Sequence, residues 1–341
     1  MSKFVPTIYR YFDNADPKYA TIKDKKPVTD LAYIKSLRIP PAWTDVLISV
    51  NPNEDIAAIG YDSKHRRQYI YTANHWKAAK QRKYRNLIYF RENLKLLRIK
   101  TDQMLLEKSL NAVLACVIKL LLFCALRIGT LKGVSDYQSF GITTLQKKHV
   151  TITSDAIKFR FVGKKGVTNE CYVSTTHPDS KQTATMLTWL YEKATRPDSF
   201  LFTFDDQHVT FKQVNEFLKE YGSFTSKDFR TWKANVALLK HLPLFLKETS
   251  ASKRKKLFSK LLKETIAPTL QHTPAISKKS YLLQELYERV IENPTSIAIP
   301  QLTETETFPQ SGAFKQTKKK GLLTTQQAES MLQTTLEKIL L

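Results

Sequence analysis

Between Ala112 and Leu126 the chain runs through about fifteen residues that are almost all apolar, interrupted by a single charge at Lys119. Such a run has no polar face to show to water, so it needs protein on every side. It falls short of the roughly 20 apolar residues that cross a bilayer. The run is expected to be a helix buried inside a globular domain. The chain has the material to bury it: of 341 residues, 42% are apolar and 11% aromatic. That content excludes a disordered basic tail. The length fits one large or two medium domains.

Charge is the second constraint. The 54 Lys and Arg against 31 Asp and Glu leave 54 − 31 = +23. This predicts salt-sensitive attraction to a polyanion, either nucleic acid or an anionic membrane surface. The N-terminal MSKFVPTIYRYF lacks the charged, apolar, then small pattern of a secretion signal. Cys116, Cys124 and Cys171 are too few and too irregularly spaced for a disulfide framework or a zinc cluster, which fits a reducing compartment. The expectation is a soluble, intracellular protein.

The first eighty residues read as β-rich. The runs 46–50, 57–61 and 68–72 are short and apolar or aromatic, the first two separated by the turn-forming Asn51-Pro52-Asn53-Glu54-Asp55. Period two puts Tyr69 and Tyr71 on one face. From Lys77 to Lys100 there are nine Lys or Arg and one acid, Glu92, and helical spacing takes over, so a boundary or hinge is expected near 76–82. Thr101 or Asp102 is a candidate N-cap for the apolar helix, which glycine can end near Arg127-Ile128-Gly129. Between His149 and Val173, the strands of a small antiparallel sheet flank Gly163-Lys164-Lys165-Gly166, read as a lysine hairpin. Helices are expected at about 183–195, 211–221, 226–246, 252–265 and 278–292. Residues 300–320 read as a mobile linker, and Gln326 to Leu341 as a short amphipathic helix. The division is 1–80, β-rich; 81–299, mostly helical; 300–341, a flexible tail.

No Gly-x-Gly-x-x-Gly, no Gly-Lys-[Ser/Thr] phosphate loop and no histidine pair at metal-binding spacing is present. What stands out is His272-Thr-Pro-Ala-Ile-Ser-Lys-Lys-Ser-Tyr281. It resembles the nucleophile motif of type IB DNA topoisomerases, especially their small poxvirus-like and bacterial branch. Ala125-Leu126-Arg127-Ile128-Gly129 is similar to that family's first catalytic arginine motif, Phe161-Val162-Gly163-Lys164 to its lysine hairpin, and Lys227-Asp228-Phe229-Arg230-Thr231-Trp232 to its second arginine motif. Arg38-Ile39-Pro40-Pro41-Ala42-Trp43 and the stretch from Gly60 to Tyr71 resemble its DNA-clamping β domain. These six stretches occur in family order across roughly residues 30–295.

The resemblance implies an α+β protein: a small β-rich N-terminal DNA-clamp domain, then a larger, mostly α-helical catalytic domain of the type IB topoisomerase/tyrosine recombinase fold. It implies an ATP-independent isomerase acting as a monomer on duplex DNA, with no cofactor or metal. Tyr281 would be the nucleophile. Arg127, Arg230 and His272 would hold the non-bridging phosphate oxygens. Lys164 would be the general acid, with Lys165 as the alternative. Arg66, Arg67, Gln68, Tyr69, Tyr71 and Lys132 would contact DNA. The protein would work wherever the DNA lies: nucleus, nucleoid, viral factory or virion.

Taken singly, each residue has a plainer reading: Tyr281 as an amphipathic core residue, His272 as a cap, Arg127 as a charge at a helix C-terminus, Arg230 as an ion-pair partner. Two other classes compete. Tyrosine recombinases share the nine-residue spacing (281 − 272 = 9) but usually carry a histidine three positions before the second arginine, where this chain has Lys227. A non-catalytic DNA-packaging protein would suit the charge but has no use for five catalytic residue types in order. One departure from the family pattern stands out: Thr130-Leu131-Lys132-Gly133 follows the first arginine motif and Tyr137 comes late. The tail beyond about residue 300 has no counterpart in that pattern.

Overall fold

The computed structural model describes residues 4–297 and 322–340; the expected linker at 300–320 lies outside the described residues. The chain divides into two compact units, Met1–Tyr84 and Arg85–Leu341.

The first unit is built on five strands, β1 (Ile8–Asp13), β2 (Asp16–Thr21), β3 (Thr44–Ile48), β4 (Ile56–Tyr61) and β5 (Arg67–Tyr71), with a short helix α1 (Ala32–Ser36) between β2 and β3. They form one sheet in the order β2-β1-β3-β4-β5, every neighbouring pair antiparallel. Its core is Ile8, Ile34, Val46, Ile48 and Ala58, with Tyr19, Leu37, Trp43 and Ile70 packed against it. Gly60 is required by a close approach: a Cβ there would lie 2.8 Å from the Trp43 ring. Buried Arg10 holds the loop before β3, donating to the carbonyls of Pro40, Pro41 and Trp43. The β1–β2 hairpin carries no alternation marked enough to be read in advance; its outer residues are mostly exposed.

A long helix, α2 (Ala73–Met104), is followed by α3 (Leu110–Cys124), the apolar run. In α3 every residue from Ala112 to Cys124 except Leu122 is buried, surrounded by strand β8 (Thr168–Ser174) and by α5 (Pro178–Lys193), α6 (Phe211–Lys219) and α7 (Ser226–Lys240). Each such large aliphatic side chain contributes about 1.5–3 kcal/mol. Ser109, not Thr101 or Asp102, is the N-cap, its hydroxyl accepting from Ala112 N–H. Thr101 instead bonds back to the Leu97 and Arg98 carbonyls inside α2, and Asp102 reaches across to Lys119 at 2.5 Å. The lone charge in the apolar run is thus 4% exposed but paired, which is how a buried ammonium is tolerated. The helix ends earlier than expected, at Cys124, with Ala125 in the left-handed region (φ 49°).

The remaining elements are α4 (Leu131–Tyr137), the antiparallel sheet β6-β7-β8 (Val150–Ile152, Ala156–Val162, Thr168–Ser174), α5 (Pro178–Lys193), the two-residue pair β9 and β10 (Thr203–Phe204, Gln207–His208), α6 (Phe211–Lys219), α7 (Ser226–Lys240), α8 (Leu242–Leu246), α9 (Ala251–Leu261), α10 (Ala267–Leu270), α11 (Pro274–Ser280), α12 (Gln284–Glu292) and α13 (Thr325–Leu340). Two helices expected as continuous are broken. The stretch 226–246 divides at His241, where Pro243 supplies no N–H for the helix ladder. The stretch 278–292 divides at Tyr281, which lies between α11 and α12 rather than on a helix. The terminal helix α13 is docked on α7: Ala328, Met331, Leu332 and Leu336 are buried, and Glu329 accepts a bond from Trp232.

Cys124 and Cys171 are joined in a disulfide between the end of α3 and β8, although the number and irregular spacing of the cysteines point to no disulfide framework and to a reducing compartment. Cys116 is buried and free. No helix among the described residues is long and apolar enough to cross a membrane.

Candidate active site

Three separate segments of the second unit deliver side chains to one place, and a fourth carries two lysines whose charge reaches it. The first is the turn after α3. Once Ala125 has entered the left-handed region, residues 127–129 lie outside any helix or strand, held because the Arg127 and Ile128 carbonyls accept from Ile142 and Thr143 N–H at 2.8 and 2.7 Å. Gly129 (φ +88°) passes so close to Gly141 that a Cβ on Gly141 would lie 2.5 Å from its nitrogen. Arg127 projects from this turn and donates from Nη2 to the His272 ring, 3.2 Å from Nδ1 and nearer still to Nε2.

The second segment is α7. A capping box (Thr225, Asp228) starts this helix and the mid-helix Arg230 is buried, 2% exposed. Arg230 donates from Nη1 to the Ala125 carbonyl and from Nη2 to the Leu270 carbonyl at 2.6 Å. Its Nε is buried without a partner. One turn on, Lys233 donates to the Phe123 carbonyl at 2.6 Å. Burial, with Arg230 and Lys240 adding repulsion, pushes its pKa down to about 8. Lys233 and Arg230 together therefore clamp the last turn of α3, from which Arg127 leaves.

The third segment is Leu270 to Tyr281. Thr273 caps α11 and Pro274 occupies its first turn. Tyr281 is 7% exposed and sits with its ring under the Arg230 guanidinium, 4.9 Å from centroid to Cζ, and 5.6 Å from the His272 ring. Asn235, fully buried on α7, holds this segment: its amide donates to the Tyr281 carbonyl (3.0 Å) and accepts from Leu283 N–H (3.0 Å). One helix thus carries both the buried arginine and the clamp on the tyrosine.

Burial lowers the pKa of Arg127 and of Arg230, and the Tyr281 side chain opposes this in both by charge and hydrogen bonding. His272 is pushed down to about 4, first by burial, then by Arg127, Arg230, Lys164 and Lys165. Its imidazole is therefore neutral at pH 7: one ring nitrogen accepts from Arg127 and the other keeps its proton to donate.

The fourth segment is the β7–β8 hairpin. Lys164 and Lys165 lie on its turn, both exposed, with Lys165 (φ 66°) and Gly166 (φ 72°) left-handed. Arg127 bonds the His272 ring, and the Tyr281 ring lies against both Arg230 and His272; Lys164 stands apart from them at the hairpin tip, its charge reaching His272. Sequence reasoning missed Lys233 and Asn235. The only signal for Asn235 was a polar residue amid buried apolar neighbours.

In the first unit, β5 carries Arg67, Gln68, Tyr69 and Tyr71. The two tyrosine rings stack at 6.1 Å, and Arg67 lies over Tyr69 at 5.4 Å. Arg66 and Gln68 both bond Asp62, whose carboxyl is held below its ordinary range by Arg66. Beyond Tyr71 the aromatic face continues through His75 (4.4 Å, stacked) to exposed Trp76. Lys132 is exposed on α4.

One buried and one half-buried guanidinium, a neutral imidazole and a phenol thus lie together, and comparison with known proteins gives the family. The profile of the eukaryotic DNA topoisomerase I catalytic core matches residues 72–298, and that of the bacterial DNA topoisomerase IB N-terminal domain matches residues 9–62. DNA topoisomerase 1B of Acanthamoeba polyphaga mimivirus is 31% identical over 304 residues, covering 84% of this chain and 85% of that one. DNA topoisomerase I of Monkeypox virus and DNA topoisomerase 1B of Vaccinia virus (strain Copenhagen) are each 27% identical, over 79% of this chain and 84% of theirs. The chain belongs to the type IB DNA topoisomerases, which makes it an isomerase with that family's fold.

Proposed function

We propose that this enzyme relaxes supercoiled duplex DNA by cutting one strand, letting it rotate, and resealing it. The Tyr281 oxygen attacks the scissile phosphorus, releasing its proton to solvent, and the bond to the 5′-oxygen breaks as the 3′-phosphotyrosyl bond forms. The covalent link conserves the phosphodiester bond energy, so resealing needs neither ATP nor a metal. Attack builds negative charge on the non-bridging oxygens. Arg127 and Arg230 meet it with planar, permanently charged donors, and neutral His272 adds a third. The 5′-oxygen is a poor leaving group as an alkoxide and takes a proton from Lys164. Torsion in the DNA drives rotation of the free end; reversal of the same steps reseals the strand.

The observation that carries this reading is Arg230: a buried cation beside a phenol, anchored through two nitrogens while Nε has no partner. A buried donor without an acceptor calls for a partner, and beside a phenol and a second guanidinium a phosphate oxygen suits it.

The first unit serves as a DNA clamp, with Arg66, Arg67, Gln68, Tyr69 and Tyr71 along and beside β5 reading the groove and backbone and Lys132 adding a phosphate contact from the second unit. The second unit is the catalytic domain. The protein acts as a monomer wherever its DNA lies. The test is a supercoiled plasmid incubated with the protein in EDTA without ATP. A ladder of topoisomers that disappears with Tyr281→Phe supports the proposal; retarded mobility without relaxation overturns it.

A further inference from the structure

Gln271, directly before His272, has a left-handed backbone (φ 51°, ψ 59°) at the end of α10. This is a conformation that glycine adopts freely and a residue with a side chain adopts at a cost. Its side chain is not idle. The amide oxygen accepts from Glu170 N–H at 2.7 Å and the amide nitrogen donates to the Glu170 carbonyl at 2.6 Å. Glu170 lies on β8, an edge strand of the β6-β7-β8 sheet, opposite Arg160. In an antiparallel pair, a residue whose N–H and C=O both point away from its partner leaves them open on the sheet edge. The Gln271 amide fills that vacancy as a neighbouring strand residue would. Across 101 positions of sequence it fastens the His272 segment to the hairpin, whose tip, a few residues back along β8, carries Lys164.

Resting on the phosphoryl-transfer reading above, we propose that Gln271 is a positioning residue: it sets the reach of the lysine hairpin relative to His272 and the arginine pair, so that the proton for the leaving oxygen arrives where the phosphate is held. The left-handed strain at position 271 is offset by the two bonds, and those bonds require a side-chain amide of this length. Gln271 touches no reacting atom; it acts through Lys164.

Strain and function make opposite demands here, which gives a clean test with the full-length protein. Gln271→Gly relieves the backbone and removes the tether. Its melting temperature should equal or exceed that of the wild type, while single-turnover cleavage of a duplex oligonucleotide slows roughly 10- to 100-fold, the scale of an ångström-sized misplacement. On the same duplex with sulfur replacing the bridging 5′-oxygen, the thiolate departs without a proton, and most of the deficit should vanish. Wild-type cleavage by Gln271→Gly overturns the proposal. So does an equal deficit on both substrates, which would mark a general structural role. Neither result touches the proposed chemistry, because the wild-type protein in the same assay still reports whether a covalent complex forms at all.

Discussion

Arg230 and Lys164 are both cations assigned to one reaction, yet their surroundings have little in common. Arg230 sits in the middle of α7, 2% exposed, with both Nη atoms bonded to backbone carbonyls of other segments. Lys164 stands on an exposed turn between Gly163 and Gly166. The difference suits the jobs proposed for them. Charge that stabilises a transition state works best when it is fixed beforehand in a site that water does not fill. A proton donor must meet a leaving group that moves, and a hairpin tip can approach it without repacking a core. The site therefore has an interlocked half, made of α3, α7 and the Tyr281 segment, and a peripheral half tied to it through Gln271.

If that contrast holds, substitutions in the two halves separate rate from stability. The largest effect is expected from Lys164→Ala, which should slow strand cleavage about 10²–10⁴-fold, the usual range for general acid catalysis. Its unfolding free energy should stay within about 0.5 kcal/mol of wild type, as for exposed positions generally. If the rate loss follows Lys165→Ala instead, the proton donor is the neighbour. Arg230→Lys comes next. Lysine keeps the charge but cannot bridge the Ala125 and Leu270 carbonyls, so cleavage should fall about 10²–10³-fold. Here stability should fall too, by about 1–3 kcal/mol in a denaturant melt, because a buried carbonyl loses its donor. A variant as stable as the wild type would show that the interlocked half is looser than its bonds suggest.

The smallest effect concerns His272 and sharpens the link between the halves. Its folded pKa of about 4 lies below the ordinary 6.5. Between those values the unfolded chain binds a proton that the folded one refuses. His272 therefore contributes stability that is present above pH 6.5 and is lost as the pH falls toward 4. A ring titration by NMR of the DNA-free protein should show a midpoint near 4, moving upward in Lys164→Ala as one source of repulsion goes. A midpoint near 6.5 would mean that burial and the cations do not act on this ring.

What the sequence could show and what it could not divides along physical lines. The apolar run from Ala112, the strands of β3, β4 and β5 and the lysine hairpin announce themselves through composition, alternation and glycine, all local signals. The proposed catalytic set, Arg127, Lys164, Arg230, His272 and Tyr281, can be picked out because each sits in a short stretch that resembles a family motif, and the structure gathers all but Lys164. Tyr281 was misplaced onto a helix, since Lys278 to Glu292 contains no glycine or proline and the apolar spacing continues across the break. The break is set instead by Asn235, 46 positions away, gripping the Tyr281 carbonyl. Gln271 to Glu170, Lys233 to Phe123 and Cys124 to Cys171 are likewise contacts between distant segments. Nothing local distinguishes such a glutamine, lysine or cysteine from any other, and only the packed chain brings the partners together.

The central claim is that a phenolic oxygen at position 281 replaces a sugar oxygen on phosphorus. Duplex DNA placed so that the cleaved strand cannot be resealed, followed by denaturation, digestion and mass mapping of the adduct, tests it directly. The account predicts one protein–DNA linkage, on Tyr281 and joined to a 3′-phosphate, absent from Tyr281→Phe. A linkage at another residue or to a 5′-phosphate, or relaxation of DNA with no linkage trapped at all, would contradict it.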